Sequence, residues 1–293
     1  MMDYRFRLVG KRQTQRVFER AAATYDRSAV LQQEVGRRLL ERLEVIRIAP
    51  ERVLDLGAGT GQVSADLLRR YPQAQVLALD LAPAMLRRAR KRGRFWRRPL
   101  CLAADAEALP LRPGSIDLLV SNLTLPWLPD LDRAFAGFLR VLRPGGLVLF
   151  SSLGPDTLKE LRQAWAEVDD LVHVHEFIDM HDVGDALVRA GFSDPVMEAE
   201  YINLTYPDLD ALVRDLRETG GCNLATARRA GLTPKRAASA LRTAYERWRL
   251  PDGRLPATCE IVYGHAWVPE MPVRRQAGSA IGVPVASIGR RRR

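Results

Sequence analysis

Apolar residues recur at three- and four-residue intervals through 17–23 and 30–43, which predicts helices over residues 1–50, read as a helical lid. Short apolar runs then alternate with helical patterns. Strands are predicted at 52–56, 75–79, 100–103, 116–121 and 147–151, and helices at 62–70, 84–91 and 131–142, the last stopped by Pro144-Gly145-Gly146. Strands alternating with helices of this length imply a parallel sheet covered on both faces. After Ser152 the rhythm changes. An amphipathic helix at 157–168 puts Leu158, Leu161 and Trp165 on one face, and a second at 180–190 ends at Gly191. A strand at 195–204, helices at 209–219 and 234–248 and a closing strand at 260–268 follow. The two late helices read as a cap inserted over 207–256, so that 1–268 forms one domain. From Pro269 onward Pro, Gly, Ser and Arg dominate, and 269–293 is expected to be a basic, disordered tail.

Composition narrows the setting. Hydrophobic residues make up 47% of the 293 positions, enough for a sizeable core. No apolar run is long enough to cross a bilayer, and the N-terminus does not read as a secretory signal. Cys101, Cys222 and Cys259 lie far apart without CxxC spacing, so buried thiols in a reducing, cytoplasmic compartment are expected. The formal charge of +10 is concentrated: Arg87, Arg88, Arg90, Lys91, Arg92, Arg94, Arg97 and Arg98 form an acid-free run, and the tail ends in arginines. Such patches attract polyanions or an acidic partner protein, the alternative being a solvated face.

The most informative segment is Val53-Leu54-Asp55-Leu56-Gly57-Ala58-Gly59-Thr60-Gly61, an apolar strand running into three alternate glycines that open a helix. Glycine lets backbone approach a ligand closely. The dinucleotide spacing G-x-G-x-x-G is not met, because the third glycine comes one residue early. With no pyrophosphate to cradle, such a loop suits a zwitterionic amino-acid moiety beside a sulfonium, Asp55 meeting its positive end. Asp80 ends the second strand 19 residues after Gly61, where an acid can accept both hydroxyls of a ribose, with Leu81 and Met85 just beyond it. Asp105 and Ala106 follow the third strand, where a carboxylate can receive an adenine amino group. Asn122 ends the fourth. Each acid alone would pass as a loop or helix-cap residue; at successive strand ends they read as one site.

This pattern resembles the class I S-adenosylmethionine-dependent methyltransferases over roughly residues 50–152. The resemblance implies a Rossmann-like α/β fold with a seven-stranded sheet whose last strand is antiparallel, and S-adenosyl-L-methionine as cofactor. Longer stretches are similar to the malonyl-[acyl-carrier protein] O-methyltransferases of biotin synthesis: residues 18–26 (FERAAATYD), 153–162 (LGPDTLKELR), 181–187 (HDVGDAL) and 263–267 (YGHAW). What this implies is methyl transfer to the free malonyl carboxylate of an acyl carrier protein, an acidic partner docking on basic surface at 87–98 or 228–249. Tyr25 is then the lid residue that closes on the cofactor, a packed aromatic being the other reading. The sequence departs from the family at Pro126-Trp127, where a glutamine is expected before the tryptophan, and at His173-Val174-His175, where an asparagine is expected third. Both are candidates to line the acyl pocket. A branch resembling the arginine hydroxylase that assembles respiratory complex I shares residues 156–158 and 256–258 and is the main alternative.

A malonyl carboxylate, with a pKa of about 4, is ionised at neutral pH and is already the nucleophile, so no general base is required. The sequence offers no Ser-His-Asp or Cys-His set. His173, His175 and His181 read as satisfied polar or core residues rather than metal ligands. Trp127 and Phe177 read first as core and second as acyl channel. A methyltransferase acting on another small molecule remains a further reading. A nucleic-acid methyltransferase is disfavoured, because Asn122-Leu123-Thr124-Leu125 stands where an Asn/Asp-Pro-Pro-aromatic motif would be and no RNA-binding module is recognisable.

Overall fold

A computed structural model describes residues 10–225, 228 and 231–270. The expected tail lies outside the described residues from Met271 onward. One sheet holds β1 (Arg52–Leu56), β2 (Gln75–Asp80), β3 (Leu100–Ala103), β4 (Ile116–Ser121), β5 (Leu142–Leu153), β6 (Ser193–Tyr206) and β7 (Leu255–Trp267). Their order is β3-β2-β1-β4-β5-β7-β6. Strands β1 to β5 run parallel, and β7 runs antiparallel to both β5 and β6. The order reverses between β1 and β4, which opens a crevice beyond their carboxyl ends. Every position of β4 is buried, as expected of a parallel strand covered on both faces.

The first 50 residues divide in two. Helices α1 (Lys11–Ala21) and α2 (Tyr25–Ser28) pack through Phe18, Ala21, Ala22 and Tyr25 on Ala82 and Met85, and so lie over the strand ends. Helix α3 (Val30–Glu41) instead enters the core: Val35 and Leu39 are fully buried with Val63 and Leu67 of α4 (Gln62–Arg70) against Val53, Val120 and Leu149. Helix α5 (Pro83–Ala89) follows β2. On the opposite face α6 (Leu131–Val141) and α8 (Met180–Ala190) bring Phe135, Phe138 and Leu187 onto Leu54, Leu119 and Phe150.

The cap has its own small core. Helices α7 (Lys159–Ala166), α9 (Leu209–Glu218) and α10 (Lys235–Tyr245) gather Leu161, Leu212, Leu241 and Tyr245 around Leu255 and Ala257 of β7. Strand β7 therefore starts five residues earlier than the alternation from 260 predicts, because its first residues serve the cap on one side and pair with β6 on the other. The helix predicted from 157 begins only at Lys159, since Leu158 takes a left-handed conformation with φ 56°. Its turn is held from β7: Leu158 N–H donates to the Thr258 carbonyl at 2.7 Å, and Asp156 N–H to the Glu260 carboxylate at 2.8 Å.

Candidate active site

The glycine loop after β1 meets the strand ends in one cavity. Gly57 has φ +70°, and a Cβ there would lie 2.0 Å from the Thr124 hydroxyl, so no side chain fits. Gly59 (φ +53°) also lines the cavity, and nothing lies within 4 Å of where its Cβ would point. The loop thus leaves an open cradle over bare backbone. Gly61 differs from the expectation for it. It lines no part of the cavity, and a Cβ there would press on Ala89 at 2.7 Å, so it is a packing glycine that lets the loop close on α5.

Asp80 faces this cradle. Its carboxylate accepts the Gly59 N–H and the Ala82 N–H, both at 2.8 Å, while burial pushes its pKa up. Both oxygens keep acceptor capacity toward the cavity. Leu81, Met85, Ala106 and Asn122 line the same wall. Asn122 donates to the Gln32 carbonyl at 2.9 Å and accepts from Ser151 at 2.8 Å. Asp55 lies one step deeper, 1% exposed, on a small recess shared with Gly57, Gly59, Tyr25 and Asn122. Burial pushes its pKa up to about 7, against the opposing hydrogen bond from Ser64. Gln32, on the wall of both spaces, has a buried side-chain oxygen without a hydrogen-bond partner among the described residues.

Asp105 is engaged in a way the sequence did not reveal. Its carboxylate accepts the Glu107 N–H at 2.9 Å and pairs with Lys11 of α1 at 2.5 Å, and Lys11 also reaches Glu107. Nothing in the local pattern marks Lys11, which meets its partner across 94 residues. Tyr25 packs against the small cluster that holds Met85 and lines the cavity, and its hydroxyl has no hydrogen-bond partner among the described residues. Burial, with Asp80 and Asp26 nearby, raises its pKa. The one-turn helix that carries it is clamped from both sides. Asp26 accepts from Thr60 at 2.5 Å and pairs with Arg92 at 2.8 Å, while Glu218 at the end of α9 receives Ser28 and Arg27. Arg88 also faces Asp26, at 3.9 Å, and Arg87 faces Glu19, at 3.7 Å.

Beyond the cradle the cavity becomes aromatic and apolar. Trp127 meets Phe18 edge-on at 5.2 Å and His175 at 5.6 Å, and Phe177 lies beyond His175. Trp127 and Phe177, read first as core, are therefore wall residues, and so are Pro126, His173 and Val174. Leu158, Leu161, Leu212 and Leu216 form the cap side, with a Tyr206–Asp215 hydrogen bond of 2.7 Å among them. His175 accepts the Leu224 N–H through Nε2, and burial pushes its pKa down to about 4, so it is neutral at pH 7. The three histidines serve separate ends: His173 stacks on Trp165 at 3.5 Å and reaches Asp169, and the exposed His181 pairs with Asp179. Among the described residues no arginine lines the cavity, and its one cation is Lys11.

Comparison with known proteins agrees with this architecture. A methyltransferase domain model matches residues 54–150. The malonyl-[acyl-carrier protein] O-methyltransferase of Laribacter hongkongensis is 54% identical over 88% of this chain and 90% of its own. That of Halorhodospira halophila is 49% identical over 97% of each. Among solved structures, the S-adenosylmethionine-dependent methyltransferase of Thermotoga maritima superposes with a TM-score of 0.52 at 17% identity, covering 87% of this chain and 99% of that one. The YcgJ protein of Bacillus subtilis gives 0.54 at 18% identity, over 80% and 99%. At such identities the structures speak for the fold, whereas the sequence relatives, alike over most of the chain, speak for the family: the chain belongs to the malonyl-[acyl-carrier protein] O-methyltransferases.

Proposed function

We propose that this chain transfers the methyl group of S-adenosylmethionine to the free carboxylate of a malonyl group carried on an acyl carrier protein. One observation carries the reading: a single cavity runs from the strand-end acids into an aromatic chamber walled by Phe18, Trp127, His175 and Phe177. The cofactor, when bound, supplies a methyl group activated by a sulfonium. The residues present fit it. Asp80 offers acceptors for a ribose diol and Asp105 one for an adenine amino group. The cradle over Gly59 is open to a backbone-sized contact. The unpartnered Gln32 oxygen and buried Asp55 suit the ammonium of its amino-acid end.

The remaining work falls to the chamber. The malonyl carboxylate arrives ionised, with a pKa of about 4, so its oxygen needs no base. Phe18, Trp127 and Phe177 exclude water from it, which removes the hydration that damps its reactivity. The closed lid, Tyr25 foremost, fixes the approach of the two reacting groups. The methyl ester so formed resembles a fatty-acid intermediate that chain-elongating enzymes accept. The three cysteines are free thiols, in keeping with a cytoplasmic setting, and among the described residues no helix is long and apolar enough to cross a membrane.

The test offers purified protein methyl-labelled cofactor together with malonyl-carrier protein, a small malonyl thioester or tRNA. Label should enter the malonyl group as an ester released by mild alkali. Label entering tRNA alone would overturn the reading.

A further inference from the structure

Helix α1 has two faces with different tasks. Lys11, Thr14 and Phe18 point into the cavity. At 100° per residue, Arg12, Arg16 and Arg20 fall together on the opposite side. All three are exposed, and none makes an ion pair or hydrogen bond among the described residues. Like charges four residues apart weaken a helix, so this stripe does nothing for the stability of the chain that carries it. It also stands at the way in. Lys11 binds Glu107, whose carboxylate also takes the Asp130 N–H at 2.8 Å. The first turn of α1 therefore lies beside Pro129, an exposed residue of the cavity wall.

Much of the other basic surface is engaged or misplaced. Arg87, Arg88 and Arg92 face acids of the lid. Arg242, Arg247 and Arg249 pair with Asp210, Glu167 and Glu246. The hairpin closed by Arg94 and Arg97 exposes Phe95 and Trp96, but it leads into the start of β3, at the amino ends of strands whose carboxyl ends hold the cavity.

We propose that the outward face of α1, through Arg12, Arg16 and Arg20, is where the acidic carrier protein docks. This rests on the malonyl-carrier reading above. The helix is about 10 Å thick, so a carrier seated there stands one helix diameter from the chamber that its thioester arm must enter. Docking also bears on the element that carries Phe18, so partner binding and lid position are mechanically joined.

The experiment compares the full chain with R12E/R16E/R20E and with the hairpin control R94E/R98E, each assayed on malonyl-carrier protein and on malonyl-pantetheine. The α1 variant should raise KM for the carrier substrate about tenfold or more. Its KM for malonyl-pantetheine and for S-adenosylmethionine, and its melting temperature, should stay where they were, and the hairpin control should match the parent on both substrates. The neutral variant R12Q/R16Q/R20Q, expected to give a smaller rise, serves if the reversed one does not fold. An unchanged carrier KM in a parent that turns over both substrates removes α1 as the docking face. An equal rise on both substrates would also remove it, because the arginines would then act on the lid alone. If the parent methylates neither malonyl substrate, the functional reading itself fails and the docking face falls with it.

Discussion

At the residue scale, Asp55 ties the proposed cofactor end to pH. Its pKa in the fold, about 7, exceeds the ordinary carboxylate value of about 3.9. Burial thus favours the neutral acid, a contribution fully present below about pH 4 and lost as pH rises through about 7. Asp55→Asn, always neutral, should melt above the parent at pH 8 when cofactor-free, with the gap closing as pH falls from 7 toward 5, yet bind S-adenosylmethionine more weakly at pH 8. A gap that does not vary with pH would mean the carboxyl is ionised throughout. Asp80→Ala should weaken cofactor binding by roughly 10- to 150-fold, the equivalent of about 1.5–3 kcal/mol for lost hydrogen bonds to a charged group. It should also loosen the loop, because the Gly59 and Ala82 N–H groups lose their acceptor. Calorimetric titration of a folded variant with parental affinity would take Asp80 out of the site. For Tyr25, the phenyl replacement separates two roles: Tyr25→Phe should keep the melting temperature and lower turnover. The strand-end acids were legible because each stands where an apolar run stops. Lys11, Gln32 and the wall position of Trp127 were not, because they are defined by contacts across the chain that no local period encodes.

At the scale of elements, α2, proposed above as part of a lid, is held by a set of polar clamps laid over a small apolar contact. Ser28, Arg27 and the Thr24 hydroxyl meet Glu218 on one side, and Asp26 meets Thr60 and Arg92 on the other. Such partly exposed pairs contribute about 0–1 kcal/mol each, enough to bias a lid and too little to lock it. Glu218→Ala should therefore raise the dissociation rate of S-adenosylhomocysteine and KM for S-adenosylmethionine while moving the melting temperature little, which stopped-flow fluorescence and thermal scanning can read together. The long helices and central strands followed from periodicity. Helix α2 did not, since four residues are too few to show a period, and neither did the early start of β7, where the pairing partner rather than the pattern sets the boundary.

For the whole molecule, the division within the first 50 residues decides what can be removed. Truncation before Thr24 deletes α1, whose packing is a satellite cluster, and should leave one cooperative urea transition with impaired turnover. Leu39 of α3 is fully buried in the main core, so Leu39→Ala should cost about 2–5 kcal/mol and truncation through α3 should abolish folding. The sequence pattern showed helices in both places but not which of them faced the sheet. The cap stands differently again. Its helices α9 and α10 join β6 and β7, which pair antiparallel from Ser193–Trp267 to Tyr206–Leu255 with one register shift between Ser193 and Val196, so topologically they form the loop of a hairpin, whereas α7 belongs to the β5–β6 connection. Closing such a loop grows more costly only slowly with its length, and the cofactor end owes it no strand. The chamber wall built on α9, with Leu212 and Leu216, is in that sense an exchangeable cartridge: another β6–β7 connection on the same sheet should reshape that wall, while Trp127, His175 and Phe177, which come from other connections, and the glycine loop with its acids stay in place.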